Sequence, residues 1–378
     1  MTGPLRVAVA CSGLGHIQRG IEAWACDLAN GLNKAGVLVS LFGGAPADGV
    51  IHLRCLRRTS NRATSLARLF RYAGGWRYGA GSPYELEQAS FSFALWHRIR
   101  TGFDILHIQD PLIATWFETA HRLGVSEPRV AYANGTGEDA DVMRQFRSLQ
   151  LLTGQAYDQW HGHEPDGQSV FMIPNFVDTA VFTPGDRQSA RARFGLPPHK
   201  VIVLCCAAIR RTHKRIDHLL AEFATIRRRD VMLVVAGGRE TETGDIIAQG
   251  TAMLGDRVRF LPDVPRARMP ELYRAADLFA LASLHEMFGI VLIEALASGL
   301  PVVCHDTPNF RAIAGPAGSY HDVSAPRELA AGITGLFDGE LRSTLARHAR
   351  LQAEQRFSET VVIPEIIAMY RSVRSRVD

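Results

Sequence analysis

The chain has 378 residues, 47% of them hydrophobic and 21% charged, with a formal net charge of +4. A length well beyond the roughly 150 residues of an ordinary domain asks for two or three cores, and the balance is that of a folded globular protein, which excludes disordered and fibrous classes. The small positive excess gives no ground for a nucleic-acid partner, and the longest apolar stretches, at 201–209 and 231–236, fall far short of the roughly 20 residues a membrane helix needs.

The N-terminus enters a strand pattern without the apolar stretch and small-residue cleavage site of a signal peptide. β-rich runs predict strands at 6–11, 37–42, 105–108 and 129–133, with helical patterns between them at 20–35, 84–100 and 111–123. After a Pro-, Asn-, Asp- and Gly-rich stretch at 173–186, read as an interdomain linker, a second series begins. Its strands are predicted at 201–207, 231–236, 257–260, 278–282 and 301–304, and its helices at 215–228, 269–275, 289–298 and 326–337. A last amphipathic stretch, 354–373, is read as helix broken by Pro364. Alternation of this kind makes βαβ units, so the expected fold is α/β: two Rossmann-like, doubly wound domains with an interdomain cleft, binding ligands at the carboxyl ends of their strands. The expected boundaries are 1–175 and 186–355, with a helix over 356–378 packing back towards the first domain.

The six cysteines, at 11, 26, 55, 205, 206 and 304, form no Cys-x-x-Cys pair and several lie in apolar runs. They read as small buried hydrophobes in a reducing cytoplasm. Lysine occurs only at 34, 200 and 214, so nearly all positive charge is arginine.

Two loops carry the candidate chemistry. The first follows the first strand: Cys11-Ser-Gly13-Leu-Gly15-His16-Ile-Gln18-Arg-Gly20. Gly13 and Gly15 can bring backbone amides close to a phosphate or sugar at a helix N-terminus, although a tight βα turn would ask for the same glycines. A dinucleotide site would want glycine at 18 and an acid closing the second strand. Gln18 and Phe42-Gly43-Gly44 stand there instead, which argues against NAD. The second loop runs Glu286-Met-Phe288-Gly289-Ile290 into an apolar helix that carries Glu294. Free amides at Gly289 and Ile290 can hold a diphosphate, Glu294 shares a helical face with Ile290 and can reach a ribose, and Glu286 can point at sugar hydroxyls.

This loop and helix resemble the Glu-x-Phe-Gly…Glu signature of retaining GT-B glycosyltransferases of family 4, the group of the glycogen-synthase-like and phosphatidylinositol-mannosyltransferase-like enzymes. Two further segments agree. Pro174-Asn-Phe-Val-Asp178 with Phe182 and Pro184 is similar to the family's linker, and Arg210-Arg-Thr-His-Lys214 to its phosphate clamp. The resemblance covers nearly the whole chain and implies a metal-independent hexosyl transfer with retention. The donor is a nucleoside-diphosphate sugar, with UDP-sugar favoured, and no cofactor is needed. Arg210 and Lys214 stabilise the leaving diphosphate and Glu286 orients the sugar, while Gly13, Gly15, His16, Asn134, Phe288, Gly289, Ile290 and Glu294 bind the donor and its surroundings. The acceptor, a small molecule, glycan or lipid-linked sugar, enters from the first domain.

There are departures. Asn134 stands where the family often has a histidine, the clamp is a residue short, and Arg215 replaces its glycine. His16 could serve as the base of an inverting enzyme; an epimerase and a non-catalytic sugar-nucleotide-binding protein are the other rivals. Asp139-Ala-Asp141 mimics a metal-binding Asp-x-Asp and His161-Gly-His163-Glu164 a metal pair, but both read better as polar turns. Residues 54–78 hold arginines 54, 57, 58, 62, 68, 71 and 77, with Leu66, Leu69, Phe70 and Ala73 at helical spacing. That pattern suits an acceptor face or a peripheral contact with the inner face of a membrane, and an ordinary solvated helix equally.

Overall fold

The structure is a computed structural model that describes residues 3–17, 19–72 and 80–376. It divides into two compact units, Met1–Pro174 with Ile363–Asp378, and Asn175–Val362. The first holds a seven-stranded sheet: β1 (Arg6–Cys11), β2 (Leu38–Gly43), β3 (Ile51–His52), β4 (Ile105–Ile108), β5 (Arg129–Ala133), β6 (Ser148–Leu151) and β7 (Ser169–Met172), in the order 3-2-1-4-5-6-7. The second holds six strands: β8 (Val201–Cys206), β9 (Val231–Gly237), β10 (Val258–Pro262), β11 (Leu278–Ala280), β12 (Val302–His305) and β13 (Gly318–His321), in the order 10-9-8-11-12-13.

Every neighbouring pair is parallel. A parallel pair needs a crossover, and helices supply it on both faces, so the central strands are apolar along their length. Val7–Ala10 and Val203–Cys205 have no exposure at all.

Several elements escaped the sequence pattern for identifiable reasons. β6 carries buried Ser148 and Gln150, whose amide donates to the Ile173 carbonyl at 2.8 Å, so it shows no apolar run. β13, Gly-Ser-Tyr-His, is a polar edge strand whose place comes from pairing with β12. Pro364 does not break the last helix; it lies inside Glu359–Ser375. The interruption falls at Phe357–Ser358, where the Val177 amide donates to the Phe357 carbonyl and the Glu359 amide to the Val177 carbonyl. Pairing with a passing chain, not the loss of one proline donor, ends the preceding helix Gly339–Arg356 there.

The linker residues pack into the second unit. Phe176, Val177 and Phe182 are buried, and Arg274 and Arg350 donate to the carbonyls of Thr183, Thr179 and Phe182 at 2.9–3.0 Å. The last helix is tied into the first unit by Tyr370, whose hydroxyl lies 2.6 Å from Nδ1 of the buried His107. Among the described residues no helix is long and apolar enough to cross a membrane.

In each sheet the strand order reverses once, between β1 and β4 in the first and between β8 and β11 in the second. The loops leaving the carboxyl ends of those strands diverge, and the crevice this opens is where doubly wound sheets bind ligands. All the sequence-picked residues except Asn134 lie on such loops or on the helices that follow them.

Candidate active site

In the second unit, β8 feeds residues 207–215 and the helix Ile216–Thr225, while β11 feeds residues 281–289 and the helix Ile290–Ala297. The two loops meet through side chains. The Lys214 ammonium lies 2.5 and 2.7 Å from the two carboxylate oxygens of Glu286, and His213 Nε2 lies 3.4 Å from Oε2. Burial works to raise the Glu286 pKa, but the bonds from His213 and Lys214 and the ammonium's charge win and pull it down to about 2. Asn309 fixes the backbone beneath, donating to the Glu286 carbonyl at 2.8 Å. Arg210 stands on the same loop, its Nε donating to the Thr212 carbonyl at 3.0 Å.

The backbone here is tightly wound. His213 and Arg215 both have positive φ, +67° and +50°, in the left-handed region that glycine occupies cheaply. Arg215 offsets its own strain by donating to the Val323 carbonyl at 2.9 Å and the Ala282 carbonyl at 3.3 Å. Its conformation is thus one that a glycine would adopt, held by side-chain bonds. Gly289, at φ +85°, turns the chain into its helix, and the buried Phe288 ring packs edge-on against Phe357, anchoring the loop. Any role of Phe288 and Gly289 towards a ligand therefore falls to backbone amides. Glu294 is buried, with one oxygen bonded to Arg266 and the other to the Tyr273 hydroxyl at 2.8 Å.

The first unit's switch point holds a cluster with little sequence warning. Glu87 is fully buried and accepts from the Arg58 backbone amide at 2.6 Å and its Nε at 2.8 Å, and lies 2.8 Å from His16 Nε2. Burial opposes the Glu87 charge, but these partners hold its pKa below the usual carboxylate range. Arg58 also lies over the Tyr84 ring at 4.1 Å, and Tyr84 donates to Asp110 at 2.7 Å. The other Asp110 oxygen accepts from the Ser12 amide at 2.8 Å; burial raises the pKa of both Asp110 and the neighbouring Glu22.

Close packing against backbone requires Gly15 here, while Gly13 leaves room for the Glu22 carboxylate. A Cβ on Gly13 would sit 2.1 Å from Glu22 Oε1, and one on Gly15, already at φ +92°, 2.5 Å from the Ala45 carbonyl oxygen. Arg58, one of the arginines of the basic stretch, is thus a half-buried structural partner. The helix Asn61–Tyr72 leaves Leu66, Leu69, Phe70 and Tyr72 exposed, while Ala73 and Arg77 lie outside the described residues. Gln18 lies outside them as well.

Asn134 uses its side chain within its own loop. Oδ1 accepts from the Gly137 and Glu138 amides at 3.0 and 3.1 Å, and Nδ2 faces the Met143 sulfur. Asp139 starts the short helix Ala140–Met143, Asp141 pairs with Arg144 on the surface, and His161 pairs with Glu164 in an exposed turn. Among the described residues no three His, Cys, Asp or Glu side chains converge as a metal site would require.

Sequence reading missed His213, Arg266, Tyr273, Glu87, Tyr84 and Asp110. Only His213, inside the Arg210–Lys214 run, has a local signal; the others matter because a distant segment meets them, as Arg58 meets Glu87 across 29 residues.

Comparison with known proteins follows this geometry. The family described as "Glycosyl transferases group 1" matches residues 186–355, the stretch that holds Arg210, Lys214, Glu286 and Glu294. D-inositol 3-phosphate glycosyltransferase 1 of Catenulispora acidiphila is 28% identical over 391 residues, covering 93% of this chain and 90% of that protein. The D-inositol 3-phosphate glycosyltransferases of Segniliparus rotundus and Mycobacteroides abscessus are 31% and 33% identical over 72% and 54% of this chain. The chain spans less than two thirds of those two relatives' own lengths, 62% and 46%.

Among solved structures, sucrose-phosphate synthase from Thermosynechococcus elongatus superposes with a TM-score of 0.77 at 19% identity, covering 98% of this chain and 99% of that one. Anabaena HepE in complex with UDP-glucose gives 0.72 at 16%, covering 97% and 100%. At such identities the likeness speaks to fold alone, and the fold is GT-B. Residues 186–355 thus match the group 1 glycosyl transferases, and the whole chain is similar to a D-inositol 3-phosphate glycosyltransferase and shares the GT-B fold.

Proposed function

We propose that the protein transfers a sugar, with retention at the anomeric carbon and without a metal, from a nucleoside-diphosphate sugar to an acceptor hydroxyl. The observation that carries this reading is the meeting of Lys214, Glu286 and the Gly289 helix start at the second sheet's switch point. A departing diphosphate develops negative charge, and fixed cations with helix amides stabilise it where that charge appears. Arg210 and Lys214 supply the cations, Glu286 accepts hydrogen bonds from the sugar's hydroxyls, and Glu294 takes the ribose. In the transfer the acceptor oxygen bonds to the anomeric carbon on the face the diphosphate leaves. The carbon–phosphate-oxygen bond breaks, and the acceptor's proton passes to the departing phosphate oxygen, so no strong side-chain base is needed.

UDP-sugar is the favoured donor, a choice supported by neighbours solved with UDP and UDP-glucose. An acceptor hydroxyl on a small polyol is supported by relatives named for D-inositol 3-phosphate. The free cysteines suit a reducing cytoplasm, and the exposed apolar residues of Asn61–Tyr72 beside its arginines suit peripheral contact with a membrane or lipid-linked acceptor.

A second reading has its own observation: the His16–Glu87 pair is the arrangement of an oriented imidazole base, and it would serve an inverting transfer. Incubation of a panel of sugar nucleotides with candidate acceptors in EDTA tests the main reading. The expected result is nucleoside-diphosphate release only when donor and acceptor are both present; release that needs added manganese or magnesium would overturn the metal-free part, and no release with any pair the transferase itself.

A further inference from the structure

In the structure Lys214 is engaged with both oxygens of the Glu286 carboxylate. Under the reading above, the same ammonium is wanted by the donor's diphosphate. It cannot serve both in full, and a carboxylate whose side chain is only 9% exposed is poorly stabilised if its counter-charge departs. Besides the Ser283 hydroxyl, which also stabilises the charged carboxylate, an imidazole is at hand. His213 precedes Lys214, is held in a left-handed conformation that non-glycine residues adopt at a cost, and points Nε2 at Oε2 of Glu286 from 3.4 Å. Its ring also meets His285 edge-on at 5.4 Å, which limits where it can turn. Strain of this kind persists only where surroundings impose it, and here both ring contacts belong to the loop that carries Glu286.

We propose that His213 is the positioning residue for Glu286: when the donor's diphosphate draws Lys214 away, His213 closes on the freed carboxylate and keeps it ionised and aimed at the sugar. The inference rests on the donor site argued above. The groups that meet the His213 ring are Glu286 and His285 from the loop after β11, and Lys214 follows it in its own loop on the same carboxylate. Beneath them at the end of β8, the buried Cys205 thiol, raised to about 12 by its burial, is too weak an acid to compete. The swap exchanges a lysine–carboxylate pair for a histidine–carboxylate pair with no bond made or broken.

The test is proton NMR of the histidine ring signals across pH in the full chain, alone and saturated with UDP, ADP or GDP, with His213→Asn identifying the His213 peak. Asparagine tolerates the left-handed backbone and cannot titrate. A nucleotide that binds is expected to raise the His213 titration midpoint by about one pH unit, as an ionised carboxylate at close range does. The rise is expected to vanish in Glu286→Gln. An unchanged or lowered midpoint on binding overturns the swap, and so does a rise that persists in Glu286→Gln, because the nucleotide's own charge would then be its source. If calorimetry finds none of the three nucleotides bound, the donor reading itself has failed, and the proposal with it.

Discussion

The two switch points share a topology and differ in what closes them. After β1 and β4, Glu87 and Asp110 are almost wholly buried, His16 is 8% exposed, and every carboxylate oxygen has a fixed partner. After β8 and β11, Lys214 is 21% and His213 31% exposed, and one carboxylate is met by an ammonium and an imidazole. The first cluster is a brace, since moving any member strands a buried charge. The second has partly exposed members, and in the exchange proposed above an anion draws Lys214 away while His213 stays with the carboxylate. A donor site needs that second quality, because an interaction that strengthens only as the diphosphate leaves is the kind that raises turnover.

The largest expected effect breaks the second site. Lys214→Ala or Glu286→Ala is expected to lower turnover by roughly two to three orders of magnitude, read as nucleoside-diphosphate release under saturating donor. Near-native rates in either variant would remove the site from this place. The counterpart in the first unit is a stability effect. Glu87→Ala leaves Arg58 and His16 facing an empty, buried position, and denaturant melts are expected to show a loss of about 3–5 kcal/mol. A loss below about 1 kcal/mol would show that the cluster is not a brace.

Smaller effects sharpen the contrast. Under the proposed donor site, in which Glu294 takes the ribose equally in ground and transition states, Glu294→Ala is expected to raise the donor KM about tenfold with little change in kcat. A fall in kcat with KM unchanged would move Glu294 into the chemistry. Asn134→Ala removes two hydrogen bonds from the turn at Gly137 and Glu138 and is expected to cost about 1–2 kcal/mol of stability, with impaired transfer and intact binding of bare nucleotide. Unaltered kinetics with the same stability loss would confine it to the turn.

How far each region could be read from sequence follows the same division. The second site was legible because its parts come as short runs: Glu286 to Glu294 spans one loop and one helix, and Arg210 to Lys214 one loop. The brace was not, since it joins segments around 12, 16, 58, 84, 87 and 110, and a buried glutamate in the helix Pro83–Ile99 looks like any other polar helical position. Central strands were legible from apolar runs buried on both faces. Edge strands such as β13 and polar β6 were not, because pairing with a neighbour puts them in the sheet. The partners of Glu294 were hidden for a related reason: Tyr273, in the helix Met269–Ala275, and Arg266, in the turn before it, reach Glu294 only once the sheet has aligned that helix with its own.

Retention is the central chemical claim, and it sets the two histidine-bearing sites against each other. A front-face transfer relies on the second unit and asks nothing of His16 but structure, whereas an inverting one would place His16, oriented by Glu87, at the acceptor hydroxyl. Proton NMR of the product's anomeric signal, taken early in the reaction with an α-linked nucleotide sugar, separates them. The account predicts an α-linked product. A β-linked product, with a His16→Ala variant that folds but does not turn over, would contradict it and move the chemistry to the first unit's cluster.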